Sequence, residues 1–374
     1  MRINNVPNGW TKKRLSKIAL LQRGRFSIRP RNDPSCYGGD VPFVQTGDVS
    51  KAGIYLKHFS QTLNEKGVAV SKVFPANTIL ITIAANIGDT AITTFPVACP
   101  DSLIAINSEH YNFMWLNYVL QTQKNKLNAL ATQNAQKNIN LETLNNLKLL
   151  VPPIGEQKKI AEILGTWDRA IEELTDLIAE KKELRKGLAN RLLNVLTWND
   201  IELSDLLDYE QPTKYLVTKI LDYDAQKIPV LTANKAFVLG STDDTTGVYS
   251  KQDCIIFDDF TTDMKYVNFK FKVKSSAIKI LTPRENVNLK FVFEQMQRLK
   301  LPIGGHKRYW LSEYQYLTIK IPDDDTQSKI VSILSKADSE IDLLNQRLDI
   351  LKEQKRGLMQ KLLTGEIRVK VDVE

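Results

Sequence analysis

The chain has 374 residues, 43% hydrophobic and 25% charged, with a formal net charge of +8 and an isoelectric point near 9.1. That length suffices for two or three domains with cores of their own, and no apolar run approaches the roughly 20 residues needed to cross a bilayer, so a membrane span is excluded. Cys36, Cys99 and Cys254 are far apart with no CxxC pair, which fits neither a disulfide framework nor a zinc site and leaves buried thiols; the basic balance has the sign expected of a protein that meets phosphate.

Read in chain order, the N-terminal "MRINNVPNGWTKKRLSKIAL" has no apolar core followed by a small-residue cleavage site, so no secretory signal is expected and a cytoplasmic location is. β-branched runs bounded by turn residues follow: "VPFVQTG", "TILITIA", "DTAITTF" and "DSLIAI" read as strands. A helix, "NFMWLNYVLQTQKNKL", a polar loop and a last strand, "LKLLVPP", complete the first region. Pro153 then sits where a helix opens, because a first-turn residue needs no N–H.

From there Ile160, Leu164, Trp167, Ile171, Leu174, Ile178, Lys181, Arg185, Leu188 and Leu192 step by alternating four and three residues. This a/d seam predicts a long coiled-coil helix of about 60 Å. A second strand-rich region ("IPVLTAN", "DCIIFDDF", "SAIKIL"), a helix ("NLKFVFEQMQRLK") and a last strand ("LTIKIPD") lead into a second seam: Ile330, Leu334, Ala337, Ile341, Leu344, Leu348, Leu351, Lys355, Leu358 and Leu362. The two seams lie 170 residues apart without a gap, pairing Gln157 with Gln327 and Gly187 with Gly357. Such spacing denotes duplicated domains, not solenoid repeats of some 20 to 50 residues. The basic seam residues Lys181, Arg185 and Lys355 cost stability there and set register, or snorkel.

The expected fold is therefore α+β with pseudo-two-fold duplication: two β-rich globular domains separated by two long antiparallel coiled-coil helices. The boundaries read as 1–153, helix 154–196, 197–322, helix 323–364 and a tail, 365–374. Under the same offset the tail falls opposite residues 196–203, which suggests that it returns to the first domain.

"PNGW" with "RLSKIA", "VPPIGEQKKIAEIL" with "KGLANRLL", "GGHKRYWLSEYQYLTIKIP" and "KRGLMQKLLTGEIRV" together resemble the specificity subunit of type I restriction-modification systems, across essentially the whole chain. The second copy departs from the pattern where Thr326 replaces the glutamate found at Glu156. The resemblance implies two target-recognition domains, each reading one half of an asymmetric bipartite site on double-stranded DNA, held apart by the helices. It also implies two methyltransferase (modification) subunits as partners, restriction subunits joining through them, and no membrane. No cofactor is expected in this chain; S-adenosylmethionine, ATP and Mg belong to the partner subunits of an adenine-N6 DNA methyltransferase and restriction endonuclease complex.

The residues themselves suggest no catalysis. There is no D/N/S-P-P-Y/F/W methyltransferase motif, no GxxxxGK[ST] phosphate loop and no HExxH, and His58, His110 and His306 are scattered. Pro322-Asp323 with Glu353 and Lys355 imitates a nuclease set, but the latter two lie deep in a helix. Asp258, Asp259 and Asp263 in "IFDDFTTD" suit a turn better than a metal. A stand-alone DNA-binding scaffold or repressor would use the same DNA-facing loops. Against it stand Ile163, Leu177, Leu184 and Leu193, apolar positions beyond the seam that suggest helix faces left for other subunits.

Base readout calls for hydrogen-bonding side chains on exposed loops, and phosphate contact for Lys and Arg. In the first domain the candidates are Arg23 and Arg25 (with Arg29 and Arg31, for phosphate), Gln45, Thr46, Asn86, Gln133, Asn134, Gln136, Lys137 and Asn138. In the second they are Thr232, Asn234, Lys235, Thr261, Thr262, Lys265, Gly304, Gly305, His306, Lys307, Arg308 and Tyr309. No metal site is expected.

Overall fold

Two proline-led boundaries set the frame. The computed structural model describes residues 6–30, 32–131, 138–233, 236–299 and 308–371. Contacts gather the chain into two units: Met1–Asp176 with Gln346–Glu374, and Leu177–Asn345. Each unit holds one β-rich region and half of each long helix.

In the first unit, strand β1 (Thr11–Arg14) pairs antiparallel with the strand that precedes the helix. The central sheet runs Leu20–Arg23, Leu103–Asn107, β2 (Ile79–Thr82), β3 (Thr90–Thr93) and Tyr55–Leu56. Its middle strands are apolar and buried on both faces, as strands covered on two sides must be. Helix α1 (Phe113–Thr122), N-capped by the Asn112 side chain on the Trp115 N–H, covers one face with Trp115, Leu116, Tyr118 and Leu120. Strand β4 (Lys148–Val151) then leads through Pro152 and Pro153 into α2 (Ile154–Leu193). Cys99 is buried here, as Cys36 is, and burial pushes its thiol up to about 12.

The second unit repeats the plan with different residues. Strand β5 (Asn199–Glu202) takes the place of β1. The central sheet has the order Leu207–Glu210, Ile278–Pro283, β6 (Cys254–Asp258) and β7 (Met264–Val267). Helix α3 (Leu289–Met296) is again capped by an asparagine, Asn288. Strand β8 (Thr318–Ile321) pairs with β5 and precedes α4 (Asp324–Thr364), which Gly365 ends at a positive φ of 73°. Trp10 and Trp198 open these paired strands in a shared W-x₄-L-S pattern (Leu15, Ser16; Leu203, Ser204), with Leu15 and Leu203 fully buried. The α+β, duplicated architecture with long coiled-coil helices expected from the sequence is the one found.

Ion pairs set the register of the helices within each unit. In the second unit Lys181 pairs with Glu340 at 2.6 Å and Arg185 with Asp338 at 2.8 Å, so the helices run antiparallel. In the first unit Lys355 reaches Asp168 at 2.5 Å. Asp168 and Asp338 correspond under the 170-residue offset, as do Arg185 and Lys355. Each pair takes a third partner from the short helix of its own globular region, six residues past the asparagine cap. Tyr118 donates to Asp168 at 2.6 Å and carries Lys355 over its ring at 5.2 Å. Glu294 accepts two bonds of 2.8 Å from Arg185. Burial, with Asp168 adding to it, pushes the Tyr118 hydroxyl pKa well above its usual range. The basic seam residues thus tie helix to helix and helix to globular region.

Two of the apolar residues expected to be left for other subunits are used internally. Leu193 is 2% exposed in a core with Ala189, Phe291, Ile330 and Leu334, because α2 ends where the second core begins. Ile163 packs on the first core. Leu177 and Leu184 do face outward, the latter 65% exposed.

The tail gives Glu156 a role the sequence did not reveal. Arg368 donates to Glu156 at 2.9 and 2.5 Å and to the Asn8 carbonyl at 2.8 Å, and lies over the Trp10 ring. The Trp10 indole N–H donates to the same carboxylate at 3.2 Å. Thr326, at the matching position, instead bonds the capping Asp323 through its N–H at 2.9 Å and its hydroxyl at 2.7 Å. Arg368→Ala and Glu156→Gln should therefore each raise hydrogen exchange selectively over residues 366–371. Unchanged protection there would show that the clasp does not hold the tail.

Candidate nucleic-acid interface

The β2–β3 hairpin of the first unit carries one candidate at its tip. Its turn is closed by Thr82 N–H on the Asp89 carbonyl and Gly88 N–H on the Thr82 carbonyl, both 2.9 Å, and Ala85 takes a positive φ of 58°. Asn86 is exposed, and its amide donates to the Ser50 hydroxyl at 3.1 Å. Ser50 belongs to the helix Thr46–Lys51, whose capping box is made by Gln45 and Asp48. Gln45 also donates to Gln61 at 3.1 Å. Gln45, Thr46 and Asn86 are therefore linked through one helix and one hairpin. Asn138 joins them: it bridges to Ala84, and the Ile139 N–H donates to the Ile83 carbonyl at 3.0 Å.

The second unit repeats this junction. The turn after β6 is organised by Asp258, whose Oδ1 accepts from the Phe260 and Thr261 N–H groups at 2.9 and 3.0 Å. Thr262, in a turn two residues shorter, takes φ of 59° as Ala85 does in the first, and its N–H donates to the Asp258 carbonyl. The Tyr309 N–H donates to the Asp259 carbonyl at 2.9 Å, the counterpart of Ile139 on Ile83. Asp259 also accepts the Trp310 N–H at 2.8 Å, and its other oxygen lies 3.3 Å from Lys279. That contact is charge pairing without hydrogen-bond geometry, and Lys279 donates one of its protons to Gln211, 3.0 Å away. Both ions are buried, at 1% and 0% exposure. Asp258 and Asp259 thus build the turn and anchor the segment beginning at Arg308.

The arrangement brings Thr261, Thr262 and Arg308 to one edge, all with polar groups near the surface. Lys265 is half-buried on β7. Tyr309 requires correction: it is 1% exposed, its backbone N–H donating to the Asp259 carbonyl, so its side chain lies in the core beside Arg308. Arg23 and Arg25 are exposed but each spends a donor on a carbonyl, Asp101 at 2.6 Å and Ser71 at 2.9 Å. These bonds run away from the Asn86 turn, and Thr232 donates its N–H to the Phe237 carbonyl at 3.0 Å. Gln133, Asn134, Gln136, Lys137, Asn234, Lys235, Gly304, Gly305, His306 and Lys307 lie outside the described residues, as does Arg31. Among the described residues no group of three or more His, Cys, Asp or Glu is placed to hold a metal, and no helix is long and apolar enough to cross a membrane.

A family model described as the type I restriction modification DNA specificity domain matches residues 7–182 and again 196–353. The chain belongs to this family. Its two matches coincide with the two copies of the turn-and-loop junction. The specificity subunit of the Escherichia coli type I restriction enzyme EcoR124I/EcoR124II is 42% identical over 197 residues, a stretch that spans about half (48%) of each chain. A putative type I restriction enzyme specificity subunit, MjaX, of Methanocaldococcus jannaschii is 22% identical over 98% of this chain and 96% of its own. The fold matches the crystal structure of a type I restriction-modification S subunit from M. genitalium, with a TM-score of 0.63 and 18% identity over 96% of this chain and 97% of that one. A chain from a structure addressing complex assembly and conformational transition of the type I R-M system matches with a TM-score of 0.55 and 14% identity, over 97% and 100% of the two chains.

In this specificity-domain protein the supports of the candidate loops had no signal in the sequence. The buried Asp259–Lys279 pair had no local signal, since strand β6 and the strand Ile278–Pro283 become neighbours only on folding. The W-x₄-L-S repeat at Trp10 and Trp198 was legible and would have marked the paired strands that frame each unit.

Proposed function

We propose that this protein is the DNA-sequence-specificity subunit of a type I restriction-modification complex and supplies recognition, not chemistry. Each unit reads one half of a bipartite duplex site, and the long helices set the spacer and dock two methyltransferase subunits, through which restriction subunits join. The observation that carries this reading is the duplicated junction: the same backbone bonds (Ile139 to Ile83, Tyr309 to Asp259) present different polar residues, Asn86 and Asn138 against Thr262 and Arg308. Equal scaffolds with unequal side chains suit an asymmetric two-part target. In such a complex the adenine-N6 methyl transfer, with S-adenosylmethionine, and the ATP- and Mg-dependent steps belong to the partners. The test is single-molecule sequencing of genomic DNA from cells with the gene and its neighbouring methyltransferase, and from cells lacking only this gene. Loss of a two-part adenine-methylation motif, with one half altered by swapping residues 1–150 or 197–322, is the expected result. Unchanged methylation by an active methyltransferase would favour a stand-alone DNA-binding scaffold.

A further inference from the structure

We infer that Phe260 determines part of the specificity of the second unit by contacting the C5-methyl group of a thymine; this rests on the DNA-reading function proposed above. Phe260 is 41% exposed and sits on the turn that carries Thr261 and Thr262. That turn is built to hold still. Asp258 fastens two of its N–H groups, including that of Phe260 itself, and Asp259 is locked beneath it by Lys279 and the Trp310 N–H. Thr262 is a β-branched residue at φ of 59°, a conformation that costs free energy and persists where the surroundings over-determine it, typically at functional positions.

A rigid turn that displays an aromatic ring beside two threonine methyls has a defined chemical complement. In the major groove every base edge offers hydrogen-bonding groups, and the thymine methyl is the apolar one. Preorganisation of the ring means that little conformational entropy is lost when it meets that methyl. The matching position in the first unit is Ala84 and the neighbouring Asn86 is polar. The first unit's turn, residues 83–88, carries no aromatic ring, so the inference concerns the second half-site.

The experiment uses the full chain co-purified with its methyltransferase subunit and duplexes in which each thymine of the site is replaced in turn by deoxyuridine, which lacks only the methyl. In the wild-type complex one replacement, in the half-site assigned to residues 197–322, should weaken binding roughly fourfold, the value of one buried methyl-sized group. In Phe260→Ala the same replacement should have less than about a twofold effect, while Phe260→Leu, which keeps an apolar contact, retains most of the discrimination. Equal penalties in wild type and Phe260→Ala, or a second half-site without a thymine on either strand, overturn the inference. A wild-type complex with no sequence preference at all would instead remove the functional reading on which it stands.

Discussion

Replacing Arg185 with alanine is expected to destabilise the second unit by about 3–5 kcal/mol, the cost of leaving a buried charge uncompensated. Glu294 is 2% exposed at its side chain, and Arg185 is its cation, with both carboxylate oxygens 2.8 Å from Nη2. The same guanidinium grips Asp338 through Nε at 2.8 Å and Nη2 at 2.9 Å. Burial opposes the charge on Arg185, but the bonds and charges of Asp338 and Glu294 more than offset this and raise its pKa above the ordinary arginine value. A lysine has no planar fork to serve two carboxylates at once, so Arg185→Lys should recover only part of the loss. Arg185→Met combined with Glu294→Met should recover most of it, because no buried charge is then stranded and Asp338, 40% exposed, is left to water. Urea denaturation followed by tryptophan fluorescence measures all three. A loss below about 1 kcal/mol for Arg185→Ala would show that Glu294 finds another partner.

Asp259→Ala should be comparably costly, about 3–5 kcal/mol, and also selective in its functional effect. Lys279 would remain fully buried with Gln211 as its polar neighbour, and the Trp310 N–H would lose its acceptor. Since Asp259 fastens the segment starting at Arg308 to the Thr262 turn, the half-site read by this unit should be lost from the methylation motif while the other half persists. Asp259→Asn keeps an oxygen for Trp310 and should retain more of the recognition than of the stability. Thermal denaturation together with motif sequencing separates the two effects. If both half-sites weakened together, Asp259 would act through general instability and not through this junction.

The helices and the duplication were legible because their signal is local and periodic: Ile160 to Leu192 and Ile330 to Leu362 keep the a/d step without help from the rest of the chain. The inner strands of the two central sheets were legible as β-branched runs between turn residues, whereas Leu20–Arg23, Tyr55–Leu56, Leu207–Glu210 and Met264–Val267 were not. The cross-links were not. Asp168 meets Tyr118 across 50 residues and Lys355 across 187, and no spacing rule connects them. Leu193 was misassigned because the end of α2 looks like an exposed helix face until the second core closes on it. Tyr309 was misassigned because "GGHKRYW" reads as a polar loop, whereas Asp259 draws its last two residues inward. The candidate interface was thus visible as loops, and the anchors that select which loop residues face outward became visible only in three dimensions.

The packing of residues 346–371 onto the region before residue 177 has a consequence for biosynthesis. Residues 177–345 form a contiguous stretch that makes up the whole second unit. The first unit emerges earlier yet lacks Lys355, Leu362, Leu363 and Arg368 until residues 346–371 have followed. Domains made during synthesis generally fold in the order they appear; here the part made first finishes last. Until then, Asp168 and Glu156 wait for their cations and the core that includes Ile160 and Leu164 stays incomplete.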